Sequence, residues 1–194
     1  DDAVPLSEAL LRGGISALEI TLRTSEGYAA ISAMKSAFPN AVIGAGTVCS
    51  SDEYRRSVDA GADFVVSPGA SEQLFAAAAS HKVSFVPGAA TGSEVIFALE
   101  RGYSTLKFFP AETSGGEPTI RALSGPFPQV RFMATGGVTL DNMGRYLNLS
   151  SVCAVGGSWL TPADLLAAQK WDDLSELARH TVQRADEANA ETNE

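Results

Sequence analysis

The 194-residue sequence predicts a (β/α)8 TIM barrel that supplies seven of its eight strands. Three observations lead there. Strand-like and helix-like runs alternate along the whole chain. Their repeat of roughly 20–25 residues suits a (β/α)8 barrel better than a doubly wound sheet. Gly, Pro, Ser and Thr collect where the strand runs end, at "GAGT", "SPGA", "PGAAT", "FFPAE", "ATGG" and "GGSW". That is the end at which such barrels hold their active sites. No GxGxxG follows a first strand, which argues against a dinucleotide-binding fold.

The first recognisable element is "VPLSEALLRGG", a helix with a glycine stop. A helix ahead of the first strand implies an earlier strand that feeds it. The expectation is therefore a chain shortened at its N-terminus, with a slot between its last and first strands. In the full-length protein an apolar strand of about five residues would fill the slot. Left open, it exposes unpaired backbone and apolar interior and lowers stability. The strand runs follow at 17–22, 41–48, 63–68, 83–88, 105–110, 130–137 and 151–157. Each is short, apolar and bounded by turn residues. Helical patterns at 25–37, 51–60, 71–80, 92–101 and 139–147 cross between them, which places helices outside a parallel sheet. Ser50–Ser51 is an N-cap signal, and Gly61 and Gly102 are helix stops. The whole chain reads as one domain, with a polar tail expected to fray from about 188.

Bulk composition narrows the partners. Hydrophobic residues make up 45% and charged residues 19%, a globular composition. A net charge of −9 argues against nucleic acid or an anionic membrane. An anionic substrate would need a locally positive site. No apolar run approaches the roughly 18 residues of a membrane span, and no signal-peptide pattern is visible. Cys49 and Cys153 are read as buried thiols of a cytoplasmic protein. His81 and His180 are read as surface residues, since neither has neighbours at metal-ligand spacing. No metal and no cofactor is expected.

The informative residues are charges in the wrong place. In "STLKFFPAE" Lys107 sits in the middle of a buried strand. Alternation puts Leu106 and Phe108 on one face and Thr105, Lys107 and Phe109 on the other. In "ALEITLR", Leu18, Ile20 and Leu22 face the helices, so Glu19 and Arg23 share the barrel interior with Lys107. A buried ion pair that merely holds the fold is the competing reading, but such pairs contribute little stability. Two ionisable groups aimed into one enclosed volume point to chemistry. Arg23, at the strand end, also fits as a surface arginine. A desolvated lysine near a second cation becomes a nucleophile toward carbonyls and forms a Schiff base. Glu19 would carry the protons. These are the parts of a metal-free aldolase.

A second constellation ends the last two strands, "ATGGV" and "VGGSW". Glycines let backbone N–H groups approach an anion, and barrels of this kind bind phosphate in their last two strand-end loops. Thr135, Gly136, Gly137, Gly157 and Ser158 are the expected ligands.

The runs "LEITLRT", "GAGTV", "SPG", "LKFFPAE", "GPFPQVRFMATGGV" and "VGGSWL" together resemble the 2-keto-3-deoxy-6-phosphogluconate aldolase family, which includes 4-hydroxy-2-oxoglutarate aldolases. The resemblance runs from about Val4 to Val182. It implies a class I aldolase on a (β/α)8 barrel, assembled as a homotrimer. The implied reaction cleaves a phosphorylated 2-keto-3-deoxy sugar acid to pyruvate and glyceraldehyde 3-phosphate. By the same resemblance, Lys107 is the Schiff-base lysine and Glu19 the proton carrier. Arg23 and Thr47 hold the pyruvate carboxylate, while Pro68 and Phe109 line its pocket. Residues 135–137, with Gly157 and Ser158, take the phosphate. "LEITLRT" and Thr135 favour the gluconate over the galactonate epimer. Two other readings remain: an isomerase or decarboxylase of a phosphorylated sugar without a covalent lysine, and an inactive phosphate-binding scaffold.

Overall fold

The computed structural model describes residues 2–192. Seven parallel strands stand in sequence order: β1 (Ala17–Thr21), β2 (Val42–Gly46), β3 (Phe64–Val66), β4 (Ser84–Val86), β5 (Thr105–Phe108), β6 (Arg131–Thr135) and β7 (Val152–Gly156). Ladders join β1 through β4 and β5 through β7. At the seam, Lys107 N donates to Pro87 O at 2.9 Å and Ala89 N to Lys107 O at 2.9 Å. The curved sheet thus continues across β4 and β5. Among the described residues no strand pairs β7 with β1. Ala17 and Cys153, on those two edges, are exposed.

The helices are α1 (Ala3–Arg12), α2 (Gly27–Ala37), α3 (Ser51–Asp59), α4 (Glu72–Ala79), α5 (Gly92–Leu99), α6 (Gly116–Ser124), α7 (Met143–Leu147), α8 (Ala163–Ala167) and α9 (Trp171–Thr192). The cap at Ser50 is a full capping box with Glu53, and Thr91 with Glu94 repeats it on α5. Gly61 and Gly102 stop α3 and α5 at φ +93° and +84°, the left-handed region that glycine enters without strain.

The core lies between sheet and helices. Leu18, Ile43, Val65, Phe85, Leu106, Phe108, Phe132 and Ala134 are all buried there, each at an outward position of its strand. The opposite residues line the interior. There β2 offers only glycines at positions 44 and 46. A Cβ on Gly44 would stand 2.3 Å from the Phe64 ring, so that ring fills the space left open.

Several expectations need correction. Cys49 and Cys153 are exposed rather than buried, because Cys49 lies in the loop before α3 and Cys153 on the unpaired β7 edge, at the register shift against β6. His81 is half-buried: its ring lies 5.7 Å from Tyr54 and its Nδ1 2.8 Å from Ala77 O. The tail expected to fray from 188 is helical to Thr192, and Ala188 is buried; residues 193–194 lie outside the described residues. Helix α7 starts at Met143, not 139. Thr139 N donates to Asn142 Oδ1 at 2.7 Å and Asn142 N to Thr139 Oγ1 at 3.3 Å, a turn that delays the helix. Helix α6 opens on two left-handed glycines, its cap Gly115 and its first residue Gly116, and holds Pro118 in its first turn, signals that read as loop in sequence.

Candidate active site

Lys107 is 6% exposed. Its Nζ lies 3.3 Å from Glu19 Oε1. The two residues sit 88 positions apart and meet because β1 and β5 face each other across the interior. The Lys107 side chain is 8% exposed and that of Glu19 22%, so one partner is enclosed and the other is partly open to solvent. A Cβ on Gly46 would stand 2.0 Å from Glu19 Oε1. Only a residue without a side chain leaves room for the carboxylate in this position. Sequence reasoning missed Gly46. The signal for it was two glycines on one inward strand face, which marks a place where a neighbour's side chain enters.

Around this pair stand the other expected residues. Lys107 Nζ is 5.2 Å from the centroid of the half-buried Phe109 ring. Pro68 is half-buried beyond β3. A Cβ on Gly88 would fall 2.3 Å from the Pro68 carbonyl, so the strand-end loops after β3 and β4 touch backbone to backbone. Gly88 N donates to the buried Ser67 hydroxyl at 3.4 Å. Thr47, just past β2, has φ +64°. A β-branched residue in the left-handed region is strained by about 1–3 kcal/mol, and such strain clusters at ligand sites. Arg23 was expected beside Lys107 in the interior. It stands instead beyond the end of β1, exposed, with no ion pair among the described residues.

The two glycine pairs come together. Thr135 is level with Gly156, and Lys107 with Met133. The phosphate candidates therefore begin two residues past the lysine, about 6.6 Å along the strands. Thr135 is 8% exposed, and its Oγ1 is buried with no hydrogen-bond partner. A buried hydroxyl left unmated costs about 1–3 kcal/mol, and a ligand oxygen would satisfy it. Gly136 and Gly137 follow at φ +94° and +83°. A Cβ on Gly136 would stand 2.9 Å from Pro110 Cα and 3.0 Å from the Phe109 ring, which keeps the loop tight against the lysine pocket. Gly157 and Ser158 are exposed at the start of a 3-10 turn, Ser158–Leu160. Among the described residues, no cluster of three or more His, Cys, Asp or Glu side chains could hold a metal ion.

Known proteins share this sequence and fold. The chain is 44% identical over 185 residues to the KHG/KDPG aldolase of Escherichia coli K12, covering 95% of this chain and 87% of that protein. It is 42% identical over 183 residues to the 2-dehydro-3-deoxy-phosphogluconate aldolase of Pseudomonas aeruginosa, covering 94% and 83%. Its fold matches the KDPG aldolase of Legionella pneumophila with a TM-score of 0.91 at 42% identity, covering 93% of this chain and 87% of that one. That crystal structure holds pyruvate as a covalent carbinolamine intermediate. The family model for KDPG and KHG aldolases matches residues 1–177, and the chain therefore belongs to the KDPG and KHG aldolase family.

Proposed function

We propose that this chain is a class I aldolase that cleaves 2-keto-3-deoxy-6-phosphogluconate to pyruvate and glyceraldehyde 3-phosphate, and that it also accepts 4-hydroxy-2-oxoglutarate. The observation that carries the reading is the enclosed Lys107 with its Nζ 3.3 Å from Glu19 Oε1.

The geometry suggests how the chemistry runs. Lys107 passes a proton to Glu19, and its free amine attacks the C2 ketone. Glu19 returns the proton to the carbinolamine hydroxyl, which leaves as water and yields the iminium. The Glu19 carboxylate then takes the proton of the C4 hydroxyl as the C3–C4 bond breaks. The bonding pair flows into the iminium and leaves an enamine, and the aldehyde departs. Glu19 protonates the enamine at C3. Water then hydrolyses the imine, releasing pyruvate and restoring Lys107. One carboxylate serves each proton transfer because it stands beside the nitrogen and is partly open to solvent.

The same layout supports a reading of substrate binding. Thr47 and Arg23 at the mouth hold the carboxylate, and Pro68 and Phe109 pack the pyruvate methyl end. Thr135, Gly136, Gly137, Gly157 and Ser158 take the phosphate, with the unmated Thr135 hydroxyl as its first donor. Thr135 also favours the gluconate epimer. The protein is further proposed to be a cytoplasmic homotrimer; no described helix is long and apolar enough to cross a membrane. Light scattering at three times the chain mass would support the trimer.

Borohydride reduction in the presence of pyruvate, followed by peptide mapping, tests the function. The adduct is expected on Lys107 and is absent from Lys107→Ala. An adduct on another lysine overturns the assignment. Turnover without any adduct would favour the isomerase or decarboxylase reading, and an adduct without turnover the inactive scaffold.

A further inference from the structure

We infer that Glu112 is a positioning residue that locks the phosphate-gripping loop to the strand carrying the lysine. The inference rests on the phosphate site proposed above. Glu112 follows Lys107 by five residues, in the loop between β5 and α6. Two backbone bonds tie this loop to the end of β6 and the turn after it, and a side-chain bond ties it to α7. Ala111 N donates to Thr135 O at 2.8 Å, and Glu112 N donates to Gly136 O at 3.0 Å. The third is the Tyr146 hydroxyl, which donates to Glu112 Oε1. Tyr146 belongs to α7, the helix after the Thr135–Gly136–Gly137 turn, and is fully buried. Arg145 on the same helix adds an ion pair to Glu112 at 3.6 Å.

Glycines on both sides fit this arrangement. A Cβ on Gly137 would stand 2.8 Å from Glu112 Cβ and Cγ. The aliphatic part of Glu112 therefore packs directly against the phosphate turn. Gly116 has φ +63°, and a Cβ there would lie 3.4 Å from the Tyr146 hydroxyl and 3.7 Å from Glu112 Oε1. Glu112 thus holds three pieces at once: the loop leaving the lysine strand, the glycine turn, and the helix behind that turn. Burial first, and the Glu112 carboxylate second, hold the Tyr146 hydroxyl well above its ordinary ionisation range, so it remains a donor at neutral pH. A surface carboxylate beside a phosphate site would by charge alone oppose the ligand. Its Oε1 faces Tyr146 and Arg145 instead, which occupies and offsets that charge.

The test compares Glu112→Ala, Glu112→Gln and Tyr146→Phe on two substrates, with Thr135→Val as the control for the phosphate site. Glu112→Ala and Tyr146→Phe are expected to raise KM for 2-keto-3-deoxy-6-phosphogluconate at least tenfold more than KM for unphosphorylated 4-hydroxy-2-oxoglutarate. Glu112→Gln keeps an acceptor for Tyr146 and should recover most of the loss. Tyr146→Phe preserves the buried ring, so it reads out the bond even if Glu112→Ala fails to fold. If Thr135→Val discriminates between the substrates while Glu112→Ala and Tyr146→Phe lower both equally or neither, the positioning role is overturned alone. If Thr135→Val does not discriminate either, the phosphate site itself is misplaced.

Discussion

Replacing Gly46 by alanine should slow every proton transfer that Glu19 carries, in imine formation and in bond cleavage, while leaving the fold largely in place. The added Cβ would stand 2.0 Å from Glu19 Oε1 and 2.6 Å from its Cδ. Unbonded heavy atoms settle at about 3.5 Å, so the carboxylate must retreat by at least about 1 Å. Its contact with Lys107 Nζ is already 3.3 Å, at the long end of hydrogen bonding, and the retreat would end it. A misplacement of about 1 Å in a reacting group costs roughly 10²-fold in rate. The backbone at Gly46 is not left-handed, and alanine in a strand lowers the entropy of the unfolded chain by about 0.5–1 kcal/mol relative to glycine. Glu19 can swing toward water, since its side chain is 22% exposed. Stability should therefore stay within about 1 kcal/mol of the parent. Pyruvate release, followed by a coupled reductase, reads kcat; borohydride trapping reads the imine; chemical denaturation reads stability. A folded Gly46→Ala enzyme with kcat within threefold of the parent would refute the argument.

Glu19→Gln is expected to slow turnover by roughly 10²–10⁴-fold, the worth of a positioned acid–base group, with some trapping retained; near-normal turnover would place the proton carrier elsewhere. Thr135→Val removes the unmated hydroxyl, so the ligand-free protein should become no less stable in urea, or more stable by up to about 1–3 kcal/mol. Its KM for the phosphorylated substrate should rise about tenfold or more, a hydrogen bond to a charged group being worth about 1.5–3 kcal/mol; a less stable apo-protein would mean the hydroxyl has a partner. Tyr54 is fully buried and donates to Val83 O at 3.0 Å. Burial first, and Tyr103 second, push its hydroxyl from 10 up to about 12. The fold thus favours the neutral phenol, and its contribution is complete below pH 10 and lost as pH rises through about 12. Denaturation curves over that window should fall less steeply for Tyr54→Phe than for the parent, and parallel slopes would contradict this.

Lys107 and Glu19 were legible in the sequence because strand alternation is a local rule. A charge at an inward position of an apolar run needs no knowledge of the rest of the chain. The same holds for the strand beat, the Ser50 cap and the glycine pairs at 136–137 and 156–157. Arg23 marks the limit of that rule: alternation named its face, but not that β1 ends at Thr21 and leaves it exposed beyond the strand. What tertiary structure alone decided is which residue fills the space beside each functional group. Gly46 matters because register sets it against β1, where the Glu19 carboxylate lies. Tyr146 matters because α7 folds back onto a loop 34 residues earlier. The exposure of Cys153 depends on whether a strand pairs with β7. Each of these is a contact between distant segments, and local residue patterns carry no information about the packing that brings distant segments together.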